Sequence, residues 1–240
     1  ADATGGGITT FLQDGPVATG TNFGVGPTLA FPSTITAIEV MDFDGDGFDD
    51  LVALEPAAAT IHLLHNTAAL TGVPDFMEVG QLHTPPAPTA LGREKRRPGR
   101  ESPTLASLGR LYTTSDSGGG TLTVFVPSGS TDLTKLYLPG ADFPCGPTPR
   151  ALAVADLDGD GVEDVAVANG TARTVTLMAG DALGGYHAAG SLLADVTTTA
   201  STLQALDLNG DGRPDLITGS TSVGDVVVIP NSRVSAPLST

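Results

Sequence analysis

Apolar and polar residues alternate along most of the chain in short runs, and glycine, proline or aspartate interrupts each run before it reaches helical length. The runs are rich in Thr and Val and predict strands, because period-two alternation puts one set of side chains on each face of a pleated ribbon. Predicted strands fall at 8–13 and 28–31; at 34–41, 51–54, 60–64 and 76–79; at 88–91, 105–112, 121–126 and 133–138; at 151–155, 165–168, 174–178 and 191–193; and at 202–206, 216–218 and 225–229. They arrive in fours, with two ahead of the first group and three in the last group. A four-stranded unit that recurs along a chain is the recipe for blades set around a ring, each burying its faces against its neighbours. Gly5–Leu12 echoes Gly118–Phe125, so the chain begins partway through such a unit.

Between the first two strands of three units stands an acidic nonamer. The copies are Asp42-Phe43-Asp44-Gly45-Asp46-Gly47-Phe48-Asp49-Asp50, Asp156-Leu157-Asp158-Gly159-Asp160-Gly161-Val162-Glu163-Asp164 and Asp207-Leu208-Asn209-Gly210-Asp211-Gly212-Arg213-Pro214-Asp215. Acids hold positions 1, 5 and 9, and Asp or Asn holds position 3, in a chain that is only 16% charged. Like charges this close repel unless a cation sits among them. Side-chain oxygens at alternating positions plus one backbone carbonyl suit a hard ion such as Ca2+. Glycine at positions 4 and 6 permits the left-handed turns that wrap the loop. An EF-hand is excluded, because it would carry Glu at position 12, where this chain has Ala53, Val167 and Thr218, and because a strand rather than a helix follows.

Asp42 and Asp156 are 114 residues apart, two units of 57, so a further unit with its own loop near residue 95 is expected between them. Its first strand matches, Pro88-Thr89-Ala90-Leu91 against Pro149-Arg150-Ala151-Leu152, but Gly92-Arg93-Glu94-Lys95-Arg96-Arg97-Pro98-Gly99-Arg100-Glu101 replaces the acids. Five of the eleven basic residues of the chain lie in that stretch, which excludes a cation site there. A solvated loop is the plain reading. The sharper ones are that Lys95 or Arg97 places its own charge where the ion sits in sister units, or that Arg93, Lys95, Arg96, Arg97 and Arg100 bind an acidic glycan.

Composition narrows the partners. The formal charge of −16 excludes nucleic acid and anionic membrane, which need a basic footprint. Three divalent ions would bring it to about −10. With 240 residues and 40% hydrophobic content the chain can bury a sizeable core. Cys145 is the single cysteine, so no intrachain disulfide forms; it reads as a turn residue able to join two copies, which leaves a homodimer open. There is no 18-residue apolar run and no leader pattern, so Ala1 reads as the start of a mature or trimmed chain. An acidic, disulfide-free calcium domain fits an extracytoplasmic setting, where millimolar calcium loads sites of roughly 10⁻⁴–10⁻³ M. His62 and His65 stand three apart on one strand and face opposite sides, so they do not chelate one ion together. His83 and His187 are lone loop residues. No hydrolase or nucleotide motif occurs, and the chain reads as a binder, not an enzyme.

The three nonamers between apolar strands, with the turn Gly180-Asp181-Ala182-Leu183-Gly184-Gly185-Tyr186, resemble FG-GAP or VCBS repeats, the calcium-loop blades of integrin-α-type β-propellers. The resemblance implies an all-β propeller of about four four-stranded blades, with five, or a ring shared between chains, as alternatives. It implies about three Ca2+ ions held by Asp42, Asp44, Asp46, the Phe48 carbonyl and Asp50; by Asp156, Asp158, Asp160, the Val162 carbonyl and Asp164; and by Asp207, Asn209, Asp211, the Arg213 carbonyl and Asp215. The expected organisation is 1–33 closing the ring, blades at 34–86, 87–147 and 148–200, and a last blade at 201–240 completed by the N-terminus. The expected role is adhesion or recognition of a protein or glycan, lectins included. Alternatives are an accessory or catalytic domain of a polysaccharide-active enzyme and a fragment completed by a partner chain. The basic second loop and Asn209 depart from the family pattern.

Overall fold

A computed structural model of the protein describes residues 6–13, 23–68, 75–94, 109–193, 200–220 and 224–232. Among the described residues every element with a defined range beyond short 3-10 turns is a strand, and every pairing is antiparallel. The chain divides into two compact units.

The first unit holds β1 (Gly6–Gln13) and β2 (Phe23–Phe31), paired with each other, and the sheet β3-β4-β5-β6. Those four are Ala37–Met41, Asp50–Glu55, Thr60–Asn66 and Phe76–His83. Ile8 and Ile35 pack with Ala53 and Leu64 on one face of that sheet, and Leu29 and Phe31 cover the cluster. Pro127–Leu138 belongs to this unit too. The alternation there predicts a strand over 133–138; instead Asp132 accepts the Thr134 N–H at 3.0 Å and starts a 3-10 turn over Leu133–Lys135. Only a single bridge, Pro127 with Tyr137, survives of the expected ladder. The aspartate offers the backbone a local partner before a cross-strand one is available.

The second unit holds three sheets. The strands of the first are β7 (Pro88–Arg93), β8 (Leu111–Ser115), β9 (Thr121–Phe125) and β10 (Ala141–Pro144), so the fourth strand lies beyond the expected 133–138, and residues 105–108 of the expected second strand lie outside the described residues. The next sheet is β11 (Pro149–Ala155), β12 (Asp164–Asn169), β13 (Thr174–Gly180) and β14 (Tyr186–Leu193). The last is β15 (Ala200–Leu206), β16 (Asp215–Ser220) and β17 (Val226–Ile229).

Stacked sheets explain the near-continuous apolar character of the second strands, since a strand covered on both faces has no solvent side. In β12 all six residues are buried. Alternate residues serve different neighbours: Leu152, Val154, Val165 and Val167 pack with Tyr112, Leu122 and Val124, whereas Ala151, Ala153, Ala166 and Ala168 pack with Leu203, Ala205 and Leu216. Outer strands such as β17 are half exposed.

Candidate metal centres

All three acidic nonamers adopt one conformation, and their own side chains impose it. Position 1 bonds the two glycine N–H groups: Asp42 accepts from Gly45 at 2.7 Å and Gly47 at 3.3 Å, Asp156 from Gly159 at 2.8 Å and Gly161 at 3.0 Å, and Asp207 from Gly210 and Gly212 at 2.8 Å each. Position 3 accepts the N–H of position 5, in Asp44, Asp158 and Asn209 alike, at 2.8–3.1 Å. Position 5 accepts the N–H of position 7, from Phe48, Val162 and Arg213, at 2.7–2.9 Å. These are Asx turns in series. The glycines at positions 4 and 6 have φ between +78° and +92° in every copy, as the sequence requires.

Position 9 does something the spacing alone does not reveal. Asp50, Asp164 and Asp215 are 0–2% exposed, each the first residue of its strand. One carboxylate oxygen accepts the N–H of loop position 2: Phe43, Leu157 or Leu208, at 2.9–3.2 Å. The other accepts a backbone N–H sixteen residues on, at the end of the third strand: Asn66, Gly180 or Asn231, at 2.7–3.0 Å. The ninth residue is thus a clip that fastens the loop to two strands. Glycine is demanded at 180, because a Cβ there would lie 2.4 Å from the Glu163 carbonyl.

Burial pushes the Asp164 carboxyl up to about 6, against the hydrogen bonds from Gly180 and Leu157. Burial also raises Asp44 and Asp50. Asp207, in the last loop, is held below its ordinary value by the Gly212 N–H and its neighbours. Ligand atoms of Asp42, Asp44 and Asp46 lie within 4.8 Å of one another, as do those of Asp156, Asp158 and Asp164. In the last loop Asn209 replaces one acid, and among the described residues no three acids of that loop converge this way. The donor set is all oxygen, each carboxylate has acceptor positions beyond its turn bond, and charging the buried acids is unfavourable without a counter-charge. Such a set fits a hard divalent cation. The Phe48, Val162 and Arg213 positions sit at the turn where a carbonyl ligand is expected.

The blade without acids shows a different solution. Pro88 pairs with Ser115 and Pro149 with Asn169, each followed by the same register shift. Counting along both ladders sets Glu94 and Arg110 opposite each other where the next blade has Ala155 and Asp164. Arg110 therefore stands at the register position of the ninth aspartate. Its Nη1 donates to the Tyr186 hydroxyl at 3.1 Å, which lies 2.9 Å from the Tyr112 hydroxyl and donates to the Glu163 carbonyl at 3.2 Å. Burial raises both tyrosines. Lys95, Arg96, Arg97 and Arg100, the other candidate cations, lie outside the described residues; Arg93 is half-buried at the end of β7.

Two histidines missed as site residues have partners. His65 Nδ1 lies 3.0 Å from Asp44 and 3.3 Å from Asp50, in the first loop. His62, on the opposite face, sits between Glu55 at 3.0 Å and Glu78 at 2.8 Å, with Ser33 donating to Glu55. Only the strand parity of the sequence hints at this division. Cys145 is fully buried, not a surface turn residue, and burial pushes its thiol up to about 12, so it serves packing. An apolar recess of about 230 Å³ runs between the second and third acidic loops, lined by Leu157, Leu177, Leu192, Leu216 and Ile229 with Asp158 at its wall.

Comparison with known proteins agrees with this geometry. Residues 156–218 match the FG-GAP-like repeat family, a span from the first aspartate of the second acidic loop into β16. No curated protein matches the chain. A crystal structure of a protein from Lactobacillus plantarum is similar at 14% identity and a TM-score of 0.55, covering 96% of this chain and 65% of that one. At that identity the likeness shows the fold alone, which is β-propeller-like. The chain thus spans less than two thirds of the length of that protein. BBS1N in complex with ARL6DN, soaked with lead, is a looser match, at 14% identity and a TM-score of 0.45 over 87% of this chain and 69% of that one. Among the described residues no helix is long and apolar enough to cross a membrane.

Proposed function

We propose that the protein is a calcium-stabilised β-propeller module that acts extracytoplasmically by binding a protein or glycan ligand. One observation carries the calcium reading: the same loop, with the same side-chain-to-backbone bonds and the same buried ninth carboxylate, recurs at three equivalent strand junctions. Repetition without an added catalytic group points to a structural ion in each. The propeller architecture is part of this proposal. The FG-GAP-like span and the propeller-like neighbour support it.

A binding role, rather than catalysis, rests on the lack of catalytic motifs in the sequence and on the recess beside the second loop, which offers an apolar side chain or sugar face a place to lodge. Calorimetry of the metal-stripped chain tests the first half: calcium should raise Tm and a chelator should reverse the gain, and no shift refutes it. A glycan and protein array with and without calcium tests the second. Retention of a ligand only in calcium supports recognition, and a blank array in both conditions overturns it.

A further inference from the structure

Besides Asn209 in the last loop, the acidic loops differ in one further donor. The third strand of each blade ends beside its loop, where Asn66, Gly180 and Asn231 bond the ninth carboxylate. The residue just before that contact is His65 in the first blade, but Ala179 and Pro230 in the others. Among the described residues only the first loop therefore has an imidazole within reach. Its Nδ1 is buried and makes no hydrogen bond of acceptable geometry, although it lies 3.0 Å from Asp44 Oδ2 and 3.3 Å from Asp50 Oδ1. The ring is 11% exposed and the Asp50 side chain 0%. All three ligand atoms lie within 4.8 Å of one another.

Ligand type, more than spacing, discriminates between ions here. Neighbouring donors sit about 2.9–3.4 Å apart around a small divalent ion at about 2.0–2.1 Å and about 2.8–3.4 Å apart in the pentagonal-bipyramidal shell of Ca2+ at about 2.4 Å, and the observed 3.0 and 3.3 Å fit both. Imidazole suits borderline transition ions, whereas Ca2+ takes oxygen.

Resting on the reading of the loops as cation sites, we propose that the first loop is a mixed nitrogen–oxygen site for a borderline divalent transition ion of the Zn2+ class. Asp44, Asp50 and His65 Nδ1 are its ligands, and the other two loops are oxygen-only calcium sites. One ion bound there ties the loop to β5 through a side chain as well as through the backbone.

The test uses the full metal-stripped chain. Co2+ stands in for Zn2+ because its visible absorption reports nitrogen ligation. Titration in millimolar Ca2+ should fill one tight Co2+ site that Zn2+ displaces. His65→Ala and the bulkier His65→Gln should each weaken it by at least about tenfold, as loss of a ligand or its support does, while the calcium-induced rise in Tm persists. Asp158→Asn should leave the Co2+ site intact. Calcium stabilisation without a Co2+ site, or with one indifferent to both His65 variants, overturns this inference alone. So does tighter calcium binding in His65→Gln, which would make the ring an occupant of the loop rather than a ligand. A chain that no divalent ion stabilises overturns the calcium reading as well.

Discussion

Sheets β7–β10 and β11–β14 share strand count, register and the bulge after their first proline, yet they place opposite charges at the matching register position beside their first strand. In one, Asp164 clips the loop through two backbone N–H groups and stands ready for an ion. In the other, Arg110 at the same register position brings a fixed positive charge and spends it on the Tyr186 hydroxyl. One side chain at that position ties its own loop to two strands, and the other reaches a tyrosine of the next sheet; strand pairing and burial form the sheet in both cases.

The largest test of that view is Asp164→Ala. It leaves the buried N–H groups of Leu157 and Gly180 without acceptors, at about 1–3 kcal/mol each, so urea unfolding should show a loss of about 2–5 kcal/mol with and without calcium. A loss seen only with calcium would reduce the clip to a ligand and erase the likeness between the two blades. Next is removal of the ion. Each site held at 100-fold over its Kd contributes about 2.7 kcal/mol, so calcium should raise the midpoint of the wild type and, with one site fewer, that of Asp156→Asn less. Arg110→Ala should lose about 1–2 kcal/mol, the worth of a half-buried charged hydrogen bond, by the same amount with calcium or chelator. Dependence on calcium there would mean that the two junctions are not independent.

The smallest effect is a pH signature of a third kind of anchored carboxylate. Burial pushes Glu55 up, but donors on Ser33 and His62 outweigh it and hold the group below its ordinary value. A depressed acid contributes stability above its unfolded value of 4.5 and loses it as pH falls through the folded one. Ser33→Ala should therefore lose stability most at neutral pH, and the loss should shrink as pH falls below about 4.5. A loss of the same size at pH 7 and at pH 3 would show that Glu55 draws its support elsewhere.

Strand positions were legible to within a few residues wherever alternation and turn glycines agreed, as at Thr174–Gly180 and Thr60–Asn66. They failed at 133–138, where a local aspartate bond competes with pairing, and alternation carries no record of that competition. The loop residues were legible because Asx turns and positive-φ glycines act within a few residues of one another. His65 and Arg110 were not. Each lies far along the chain from what it touches, and nothing in local pattern marks a residue that meets its partner across a sheet.

The sequence by itself determined the antiparallel blades, the three equivalent loops and the conformation of each, because alternation, glycine and Asx bonding are short-range. Only the tertiary structure decided that the ninth aspartate clips its loop to two strands, that the first loop has a histidine at its side, and that Arg110 stands at the matching register position in the sheet without acids. Those facts depend on register between strands, which is set by burial of whole faces and not by any neighbour in the chain.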